Sequence, residues 1–562
     1  MSDGPIVAQL IGGAGTGKTT ELLSIMEKTL AAGVPDPYAI GFMSFTRAAR
    51  REGSTRAAAK FGIDKPERLE TDGWFRTLHS VCFRCLGIKS DELLADNKES
   101  REWLQEVFQE RVGGVTGGDM TMPEVSTSFE EATSADIIMQ LWQAARNRLV
   151  SLRTVVNEAQ VCLDRVPAYS ECVALIERYE QRKRLDGRLD FTDLLGMFAG
   201  VRFSVEGPIA AEPEGWLPDV PVWFLDEMQD CSALLDAVTH RLVSKSKWAY
   251  VVGDPFQAIY GFAGADARHF MNWPIKEGKR RIMPKSYRCP PPILRMGERF
   301  LRGCSDYWDR GIEPADREGK VQSATISKQL FAEIINPADS WLLIARTNFH
   351  AKRMATMLDQ NNIPWTPTRG TGGWDAPVRN SALGALYDLE KGAPIDGAQW
   401  ANVLKNFPSR EAGVEYLTRG TKTKFEDMTS EQLTTNYPWV QFDELSKLGA
   451  TPAMMDAIRT RRWRTMVDRA ESFVNAVERW GRDVVNKPQV RVGSIHSVKG
   501  SEADNVILNM SLSEPVVRSQ QTTAGADEER RIFYVGATRS RSRLILAGDR
   551  RAKHTMSTPL TA

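Results

Sequence analysis

The segment GGAGTGKT, residues 12–19, has the residue types and the spacing of a phosphate-binding loop. It fits the pattern G-x-x-x-x-G-K-[ST] and lies between a short apolar run and a helical pattern that begins near Lys18. Glycines let backbone N–H groups turn toward phosphate oxygens, the lysine reaches the β and γ oxygens, and the threonine hydroxyl can ligate Mg²⁺. A Gly-rich turn that arises by chance lacks these flanking elements, so the segment predicts a nucleoside triphosphate site. The predicted binding residues are Gly12, Gly13, Ala14, Gly15, Thr16, Gly17, Lys18, Thr19 and Thr20.

Two adjacent acids follow an apolar run in FLDEMQD, residues 224–230. Asp226 ends the run and is placed to hold Mg²⁺ together with Thr19, while Glu227 is placed to orient or deprotonate an attacking water. The alternative is that these carboxylates cap the helix predicted for the following SALLDAV, a role that suits Asp230. In a chain that also carries a phosphate loop, the pair favours hydrolysis of the nucleotide.

A third segment, VVGDPFQAIYGFAGAD at residues 251–266, presents an amide and two rings after an apolar run. These side chains are Gln257, Tyr260 and Phe262, and glycines surround the rings. Glycine within such a pattern marks close backbone approach more often than a packed core. The segment therefore has the composition of a ligand-contacting loop, with core aromatics as the alternative.

Length and composition limit the classes of protein to which the chain can belong. At ~150 residues per domain, 562 residues predict roughly four domains. Lys and Arg number 73 against 72 acidic residues, which excludes a protein that holds nucleic acid by bulk charge alone. We find no apolar run of the ~20 residues that a membrane span needs and no signal-peptide layout. The seven cysteines are scattered, and Cys82 and Cys85 are expected to pack in a helix rather than bind zinc.

Strand-like and helix-like patterns alternate at both ends of the chain. Continuous apolar runs such as residues 222–225, 248–252 and 341–345 are typical of parallel strands that are buried on both faces. The pattern predicts two α/β domains with doubly wound parallel sheets, each interrupted by a mainly helical insertion. The predicted divisions are 1–85 with 179–275 for the first domain, 86–178 for its insertion, 276–375 with 487–562 for the second domain, and 376–486 for a short accessory insertion.

With these segments in order, the chain resembles the UvrD/Rep/PcrA-type superfamily-one DNA helicases across most of both α/β domains. The resemblance covers the three segments above and further ones that follow in the family's order. These are SFTRAA (44–49), TLHS (77–80), LDFTDLL (189–195), SYRCP (286–290), IARTN (344–348), SIHSVKGSEADNVIL (494–508) and EERRIFYVGATRSRSRL (528–544).

The resemblance implies that ATP and Mg²⁺ bind in a cleft between two RecA-like domains. In the family pattern, Gln257 senses the γ-phosphate, while Arg288 and Arg539 reach it from the second domain like arginine fingers. Tyr287 matches a ring that packs on adenine, and Glu502 matches an acid near the ribose and phosphates. The implied catalytic residues are Lys18, Glu227, Gln257, Arg288 and Arg539.

The resemblance also implies a path for single-stranded DNA across both domains. Base–aromatic stacking ignores base sequence, which suits a motor that steps along any strand. Rings at Phe45, Tyr260 and Phe262 match base-contacting positions. The positions that match backbone contacts are Thr46, His79, Ser80 and His496. The other four histidines, His240, His269, His350 and His554, are predicted to be structural.

Several departures from the family pattern limit what the resemblance carries over. The family's adenine-reading glutamine lies upstream of the phosphate loop, whereas Gln9 lies on the predicted strand itself. Ala263 replaces a usual arginine, and KGSEA at 499–503 replaces KGLEF. The tail after residue 545 lacks the aromatic residue of a strand-separating pin, and the basic run RTRRWRTM at 459–466 suits either DNA or a charged helix face.

Three functions remain compatible with the sequence. The first is an ATP-dependent DNA helicase that translocates 3′ to 5′ and separates strands at single/double-strand junctions. The second is a translocase that strips proteins from single strands without unwinding, and the third is an ATP-gated scaffold subunit of a repair complex. Replication or repair proteins are the implied partners, no membrane is implied, and the expected compartment is the cytoplasm of a bacterial cell or a phage-infected host.

Overall fold

A computed structural model describes residues 4–110, 133–163, 165–370 and 372–557 of the chain. In this part of the chain, six parallel strands form the first sheet. Their order across the sheet is Trp74–Thr77, Ile40–Ser44, Val222–Leu225, Trp248–Gly253, Ile6–Gly12 and Arg280–Met283. The four inner strands are rich in buried aliphatic and aromatic residues, as expected for a sheet that is covered on both faces.

Helices cover both faces of the first sheet, and together they form the first lobe. Alternate residues of the strand Ile6–Gly12 point to opposite cores: Val7 and Ile11 to one, Leu10 to the other. The helices are Lys18–Ala31, Arg47–Phe61, Glu67–Thr71, Leu78–Leu86, Phe191–Ala199, Ala233–Val243 and Ala267–Met271. Cys82 and Cys85 are buried in the helix Leu78–Leu86, in agreement with the predicted packing role.

A second sheet of six parallel strands lies at the centre of the second lobe within the described residues. Its order is Thr366–Pro367, Val490–Ser494, Trp341–Ala345, Ala503–Asn509, Ser540–Asp549 and Lys320–Ile326. Leu342 and Ile344 face one core while Trp341 and Leu343 face another. The covering helices are Pro291–Leu301, Lys328–Ile334, Asn348–Asp359, Glu514–Ser519 and Thr523–Ala537. The predicted pair of RecA-like, doubly wound parallel-sheet domains is therefore confirmed.

The first insertion forms a small helical core of its own. Its helices are Lys98–Phe108, Ser134–Arg148, Leu152–Cys162 and Tyr169–Asp186, and a hairpin of Val201–Ser204 and Gly207–Ala210 follows in the first lobe. Residues 111–132, which the prediction also assigned to this insertion, lie outside the described residues. Buried Arg146 of the insertion and Lys183, which lies just beyond the predicted limit at residue 178 on the helix Tyr169–Asp186, form ion pairs with Asp190 and Asp193 of the LDFTDLL segment. These pairs tie the insertion to the first lobe.

The second insertion is also helical and has a separate core. Its helices are Pro377–Glu390, Gly397–Asn406, Thr421–Glu426, Ser430–Asn436, Pro452–Arg459, Trp463–Met466, Ala470–Trp480 and Arg482–Asn486. The short strands Arg410–Glu411 and Val414–Glu415 pair within it. In the basic run 459–466, Arg464 pairs with Glu390 and Arg462 pairs with Asp456. These ion pairs favour a charged helix face over a nucleic-acid contact.

The end of the first sheet differs from the predicted boundary at residue 275. The strand Arg280–Met283 pairs with Ile6–Gly12 and belongs to the first sheet. Its sequence RRIM has no apolar run, because this edge strand is exposed at three of its four positions. The other domain limits stay predictions. Among the described helices, we find none that is both long enough and apolar enough to cross a membrane.

We predict opposite effects on protein stability when a methyl group is added at two helical glycines, Gly53 and Gly384. A Cβ at Gly53 would lie 2.5 Å from Cε1 of Phe42, so Gly53→Ala forces the helix Arg47–Phe61 away from the sheet. We expect destabilisation of about 1–3 kcal/mol. A Cβ at Gly384 would find its nearest neighbour, the Arg482 side chain, at 3.7 Å, so Gly384→Ala gains helix propensity and stabilises by up to about 1 kcal/mol.

The thermal unfolding midpoints of the two variants and the parent protein check this pair of predictions. A Gly53→Ala midpoint equal to or above that of the parent would contradict the close approach of helix and sheet.

Candidate nucleotide and nucleic-acid site

The phosphate loop joins the strand Ile6–Gly12 to the helix that begins at Lys18. Gly15 and Gly17 have φ angles of 70° and 78°, in the left-handed region that favours glycine. Gly17 precedes the helix and leaves the N–H groups of its first turn without a side-chain cap. The ammonium of Lys18 curls back into the loop and donates to the carbonyls of Gly12 (3.0 Å) and Gly13 (3.4 Å). The loop thus presents a positive helix end and a lysine to one small volume.

The two predicted acids lie at the end of the strand Val222–Leu225, beside the phosphate loop. Asp226 is buried and accepts a hydrogen bond from the backbone N–H of Glu227 (2.9 Å). Burial and the neighbouring Glu227 raise the pKa of Asp226 above its usual range, although Lys18 opposes them. Glu227 has a φ of 59°, in the left-handed region that is uncommon outside glycine.

Glu227 is held as a carboxylate by cations from both lobes. Burial opposes its ionisation, but Lys499, Lys18 and Arg539 together keep the pKa of Glu227 below its ordinary value. The side-chain amide of Gln229 donates to Glu227 Oε2 at 2.5 Å. The first lobe therefore supplies the acid, and the second lobe supplies two of the three charges that stabilise its ionised form.

Asp230 does not cap the following helix, contrary to the alternative considered for it. The helix Ala233–Val243 is capped by Ser232, whose hydroxyl accepts from the N–H of Leu235 (3.3 Å). Asp230 instead accepts two hydrogen bonds from the Lys499 ammonium, at 2.5 and 2.7 Å. Lys499 also donates to the carbonyl of Gln257 (2.9 Å). Its segment, KGSE, was singled out in the sequence, but not the lysine itself.

Gln257 and Arg539 meet across the contact between the lobes. The guanidinium of Arg539 donates from Nη2 to Oε1 of Gln257 at 3.3 Å, and the amide of Gln257 donates to Asp254 at 2.8 Å. Arg539 is buried, and burial lowers its pKa to about 10, so it remains charged near neutral pH. This contact joins two residues that the sequence predicted for one site from opposite ends of the chain.

The segment Ser286–Arg288 of the second lobe lies directly on the phosphate loop. The N–H of Tyr287 donates to the carbonyl of Gly15 (2.8 Å), and a Cβ at Gly15 would lie 2.3 Å from Cβ of Arg288. Arg288 forms an ion pair with Glu502 at 2.5 Å. The Tyr287 ring is 64% exposed and within 4 Å of where a Gly17 side chain would start, so it is available to a base.

Gln9 serves the first sheet rather than the nucleotide. Its amide donates to the carbonyl of Phe270 at 2.7 Å, and its oxygen accepts from Arg280 at 2.6 Å. Gln9 is fully buried. These contacts account for a polar residue within an apolar strand, and they leave Tyr287 as the candidate for contact with the base.

The rings predicted to contact DNA differ in their exposure. Tyr260 is buried, its hydroxyl donates to the carbonyl of His496 (3.3 Å), and Lys499 lies 5.1 Å from its ring centre. Phe262 is half-buried and lies edge-on to Tyr260 at 6.0 Å and to His496 at 5.7 Å. His496 is buried, and its ring contacts the carbonyl of Ile259 at 3.1 Å. Phe262 is therefore the ring that this loop leaves open to a base, and Tyr260 packs beneath it.

Phe45 does not present its ring to solvent. It is 2% exposed and packs in the core of the first lobe, because it directly continues the buried strand Ile40–Ser44. The prediction that bases pack against this ring is not supported by its position. The adjacent Thr46 caps the helix Arg47–Phe61 by accepting from the N–H of Ala49 (3.1 Å).

The other predicted backbone contacts, His79 and Ser80, lie near the start of the helix Leu78–Leu86. His79 lies edge-on to Phe191 at 6.0 Å, and burial lowers the pKa of His79 to about 4, so the ring is neutral. Ser80 accepts a hydrogen bond from Arg76 (2.9 Å). The four remaining histidines contact protein neighbours, as a structural role requires: His240 with Trp273, His269 with Asp236, His350 with Thr347 and His554 with Glu514.

Comparison with known proteins places a related domain in each half of the chain. The model of the UvrD/REP helicase N-terminal domain matches residues 5–275, and the model of the UvrD-like helicase C-terminal domain matches residues 462–550. The first match contains the phosphate loop, both acids and the 251–266 loop. The second contains Lys499, Glu502 and Arg539.

Among curated proteins, the chain is similar to ATP-dependent DNA helicase PcrA of Staphylococcus aureus, with 23% identity, and of Staphylococcus epidermidis, with 24% identity. Each match extends over 398 residues, which is 66% of this chain and 50% of the relative. The chain thus spans about half the length of the curated relatives that it matches. With matching N- and C-terminal domains, two parallel sheets and the site residues between them, the chain belongs to the UvrD/Rep/PcrA family of superfamily-one helicases.

Proposed function

We propose that the chain is an ATP-dependent DNA helicase that hydrolyses ATP between its two lobes. The observation that carries this proposal is that Lys18, Lys499 and Arg539, which come from both lobes, act together to lower the pKa of the half-buried Glu227. An ionised carboxylate with several cations nearby suits phosphoryl transfer, since its catalysis consists almost entirely of positioning and charge stabilisation.

Thr19 and Asp226 are the residues that would hold Mg²⁺. Asp226 is buried with a raised pKa, which means that its negative charge is poorly compensated by the protein. Thr19 lies in the first turn of the helix that follows the phosphate loop. Mg²⁺ prefers such oxygen ligands, and when bound there it would supply positive charge that offsets the charge of the phosphates.

The other catalytic roles are proposed for side chains of the protein. Lys18 would exchange its contacts with the loop carbonyls of Gly12 and Gly13 for phosphate oxygens. Glu227, held ionised, would orient and deprotonate the attacking water. Arg288 and Arg539 would stabilise charge on the γ-phosphate from the second lobe, in the manner of arginine fingers.

Gln257 is the proposed sensor of the γ-phosphate. An amide both donates and accepts, so it can contact either a phosphate oxygen or Arg539. Its loop continues within five residues to Phe262, the half-buried ring proposed to stack on a base. Nucleotide and single-stranded DNA would therefore contact one short segment. Loss of the γ-phosphate would alter both the contact of Gln257 with the nucleotide and the contact of Phe262 with DNA.

The proposed polarity is 3′ to 5′, and it rests on the resemblance of the ordered segments to that branch of the family. Single-stranded DNA and single/double-strand junctions are the proposed substrates. Proteins of replication or repair are the proposed partners.

Replacing Lys18 by alanine is expected to lower the DNA-stimulated ATPase rate by about 100-fold or more, because the phosphate oxygens lose their principal cation. Lys28→Ala is the matched control, since Lys28 is exposed in the last turn of the same helix. Phosphate release is measured with and without single-stranded DNA. Full activity of Lys18→Ala would contradict the assignment of the loop.

Strand displacement on duplexes with 3′ or 5′ single-stranded tails is expected only from the 3′ tail, and only with hydrolysable ATP. Displacement from the 5′ tail alone would reverse the proposed polarity. Stimulated ATPase without displacement would support the translocase that does not unwind, and tight DNA binding without turnover would support the scaffold subunit.

A further inference from the structure

Arg310 is a buried arginine between the lobes that lies outside every segment of the family resemblance. It follows the helix Pro291–Leu301 in the second lobe, and its side chain is 1% exposed. Its guanidinium lies 4.7 Å from the ring centre of Phe256 and 5.4 Å from that of Tyr534. An arginine is rarely buried to this degree unless its charge is fully paired.

Two carboxylates from different lobes pair with Arg310. Nη1 donates to Asp254 of the first lobe at 2.5 Å, and Nη2 donates to Glu298 of the second lobe at 2.6 Å. These acids raise the pKa of Arg310 despite its burial. Removal of one partner from such a pair leaves an uncompensated buried charge, so loss of Arg310 would leave the buried side chain of Asp254 without its cationic partner.

Asp254 contacts Gln257 as well as Arg310. Its Oδ1 faces Arg310, while its Oδ2 accepts from the amide of Gln257 at 2.8 Å. Because the amide nitrogen of Gln257 is committed to Asp254, its oxygen is the atom that faces Arg539, at 3.3 Å. The orientation of the proposed sensor is therefore set by a residue that Arg310 holds in place.

Tyr534 connects Arg310 and Asp254 to the phosphate loop. The Tyr534 hydroxyl accepts from the N–H of Ala14 at 3.2 Å and from Arg310 Nη2 at 3.3 Å, and it donates to Asp254 at 3.2 Å. A Cβ at Gly13 would lie 3.5 Å from Nη1 of Arg310. Arg310 thus contacts the carboxylate that orients Gln257 and lies against the loop that would hold the phosphates.

We propose that Arg310 is a positioning residue for ATP hydrolysis, which fixes Asp254 so that the Gln257 oxygen points across the seam to Arg539. The kinetic consequence rests on the proposed function. Because Asp254 and Glu298 engage Nη1 and Nη2 of Arg310, its loss should affect turnover rather than binding of ATP.

Arg310→Met tests this role, because it keeps the length of the side chain and removes the guanidinium. We expect the DNA-stimulated kcat to fall by about tenfold or more while KM for ATP changes by less than about threefold. Arg482→Met is the matched control: Arg482 forms a two-bond pair with Asp388 in the second insertion, at 2.7 and 2.8 Å, and its kinetics should equal those of the parent.

A double-mutant cycle with Gln257→Ala separates positioning from a general structural effect. If Arg310 acts through Gln257, Arg310→Met should lower kcat little further once Gln257 is alanine. Multiplicative losses in kcat, or a tenfold rise in KM with unchanged kcat, would overturn the proposal.

Amide hydrogen exchange of residues 254–263 provides a readout that needs no turnover. Exchange there should accelerate in Arg310→Met and stay unchanged in Arg482→Met; unchanged exchange in both variants would overturn the inference. If the parent protein hydrolyses no ATP, the proposed function fails while this measurement still decides whether Arg310 holds the segment.

Two milder variants decide the matter should Arg310→Met fail to fold. Arg310→Lys keeps a cation but not the two-pronged contact, and Tyr534→Phe removes only the hydroxyl that joins Ala14, Asp254 and Arg310. Both should lower kcat and accelerate exchange in residues 254–263. Parent-like values for both would contradict the proposal.

Discussion

Pairing of buried charges across the seam between the lobes is the constraint on which the rest of the structure depends. Lys499 of the second lobe pairs with Asp230 of the first, and Arg310 pairs with Asp254 in the same sense. A buried charge without its partner is strongly destabilising, so the lobes can dock closely only in the register that satisfies these pairs. That register also brings Arg539 to Gln257.

The helix Thr523–Ala537 connects the parts of the site along one rigid element. In its first half, Glu528 accepts from the N–H of Gly261 (2.8 Å), which lies between Tyr260 and Phe262 in the loop proposed to contact DNA. Near its end, Tyr534 contacts the N–H of Ala14, and Arg539 follows the helix directly. A shift of this helix that accompanied loss of the γ-phosphate would therefore reach Phe262, which gives a physical route from nucleotide to DNA.

Local patterns predicted the parts of the fold and site that depend on local chemistry. The phosphate loop, the acids at 226 and 227 and the apolar parallel strands follow from glycine conformation, side-chain chemistry and burial on both faces. The strand Arg280–Met283 was missed because its exposed, basic sequence has no strand pattern. The burial of Phe45 and Tyr260 and the partners of Arg310 and Tyr534 depend on contacts between distant segments, and neither spacing nor composition encodes them.

Pulsed electron resonance between spin labels at Lys28→Cys and Lys328→Cys tests whether the triphosphate holds the lobes together. Both lysines are exposed, one in each lobe, and Cys162→Ser removes the one half-buried native thiol, the other six being buried. With single-stranded DNA present, the distances between the two labels should be shorter and more narrowly distributed with a non-hydrolysable ATP analogue than with ADP. Identical distributions with the analogue and with ADP would contradict the account.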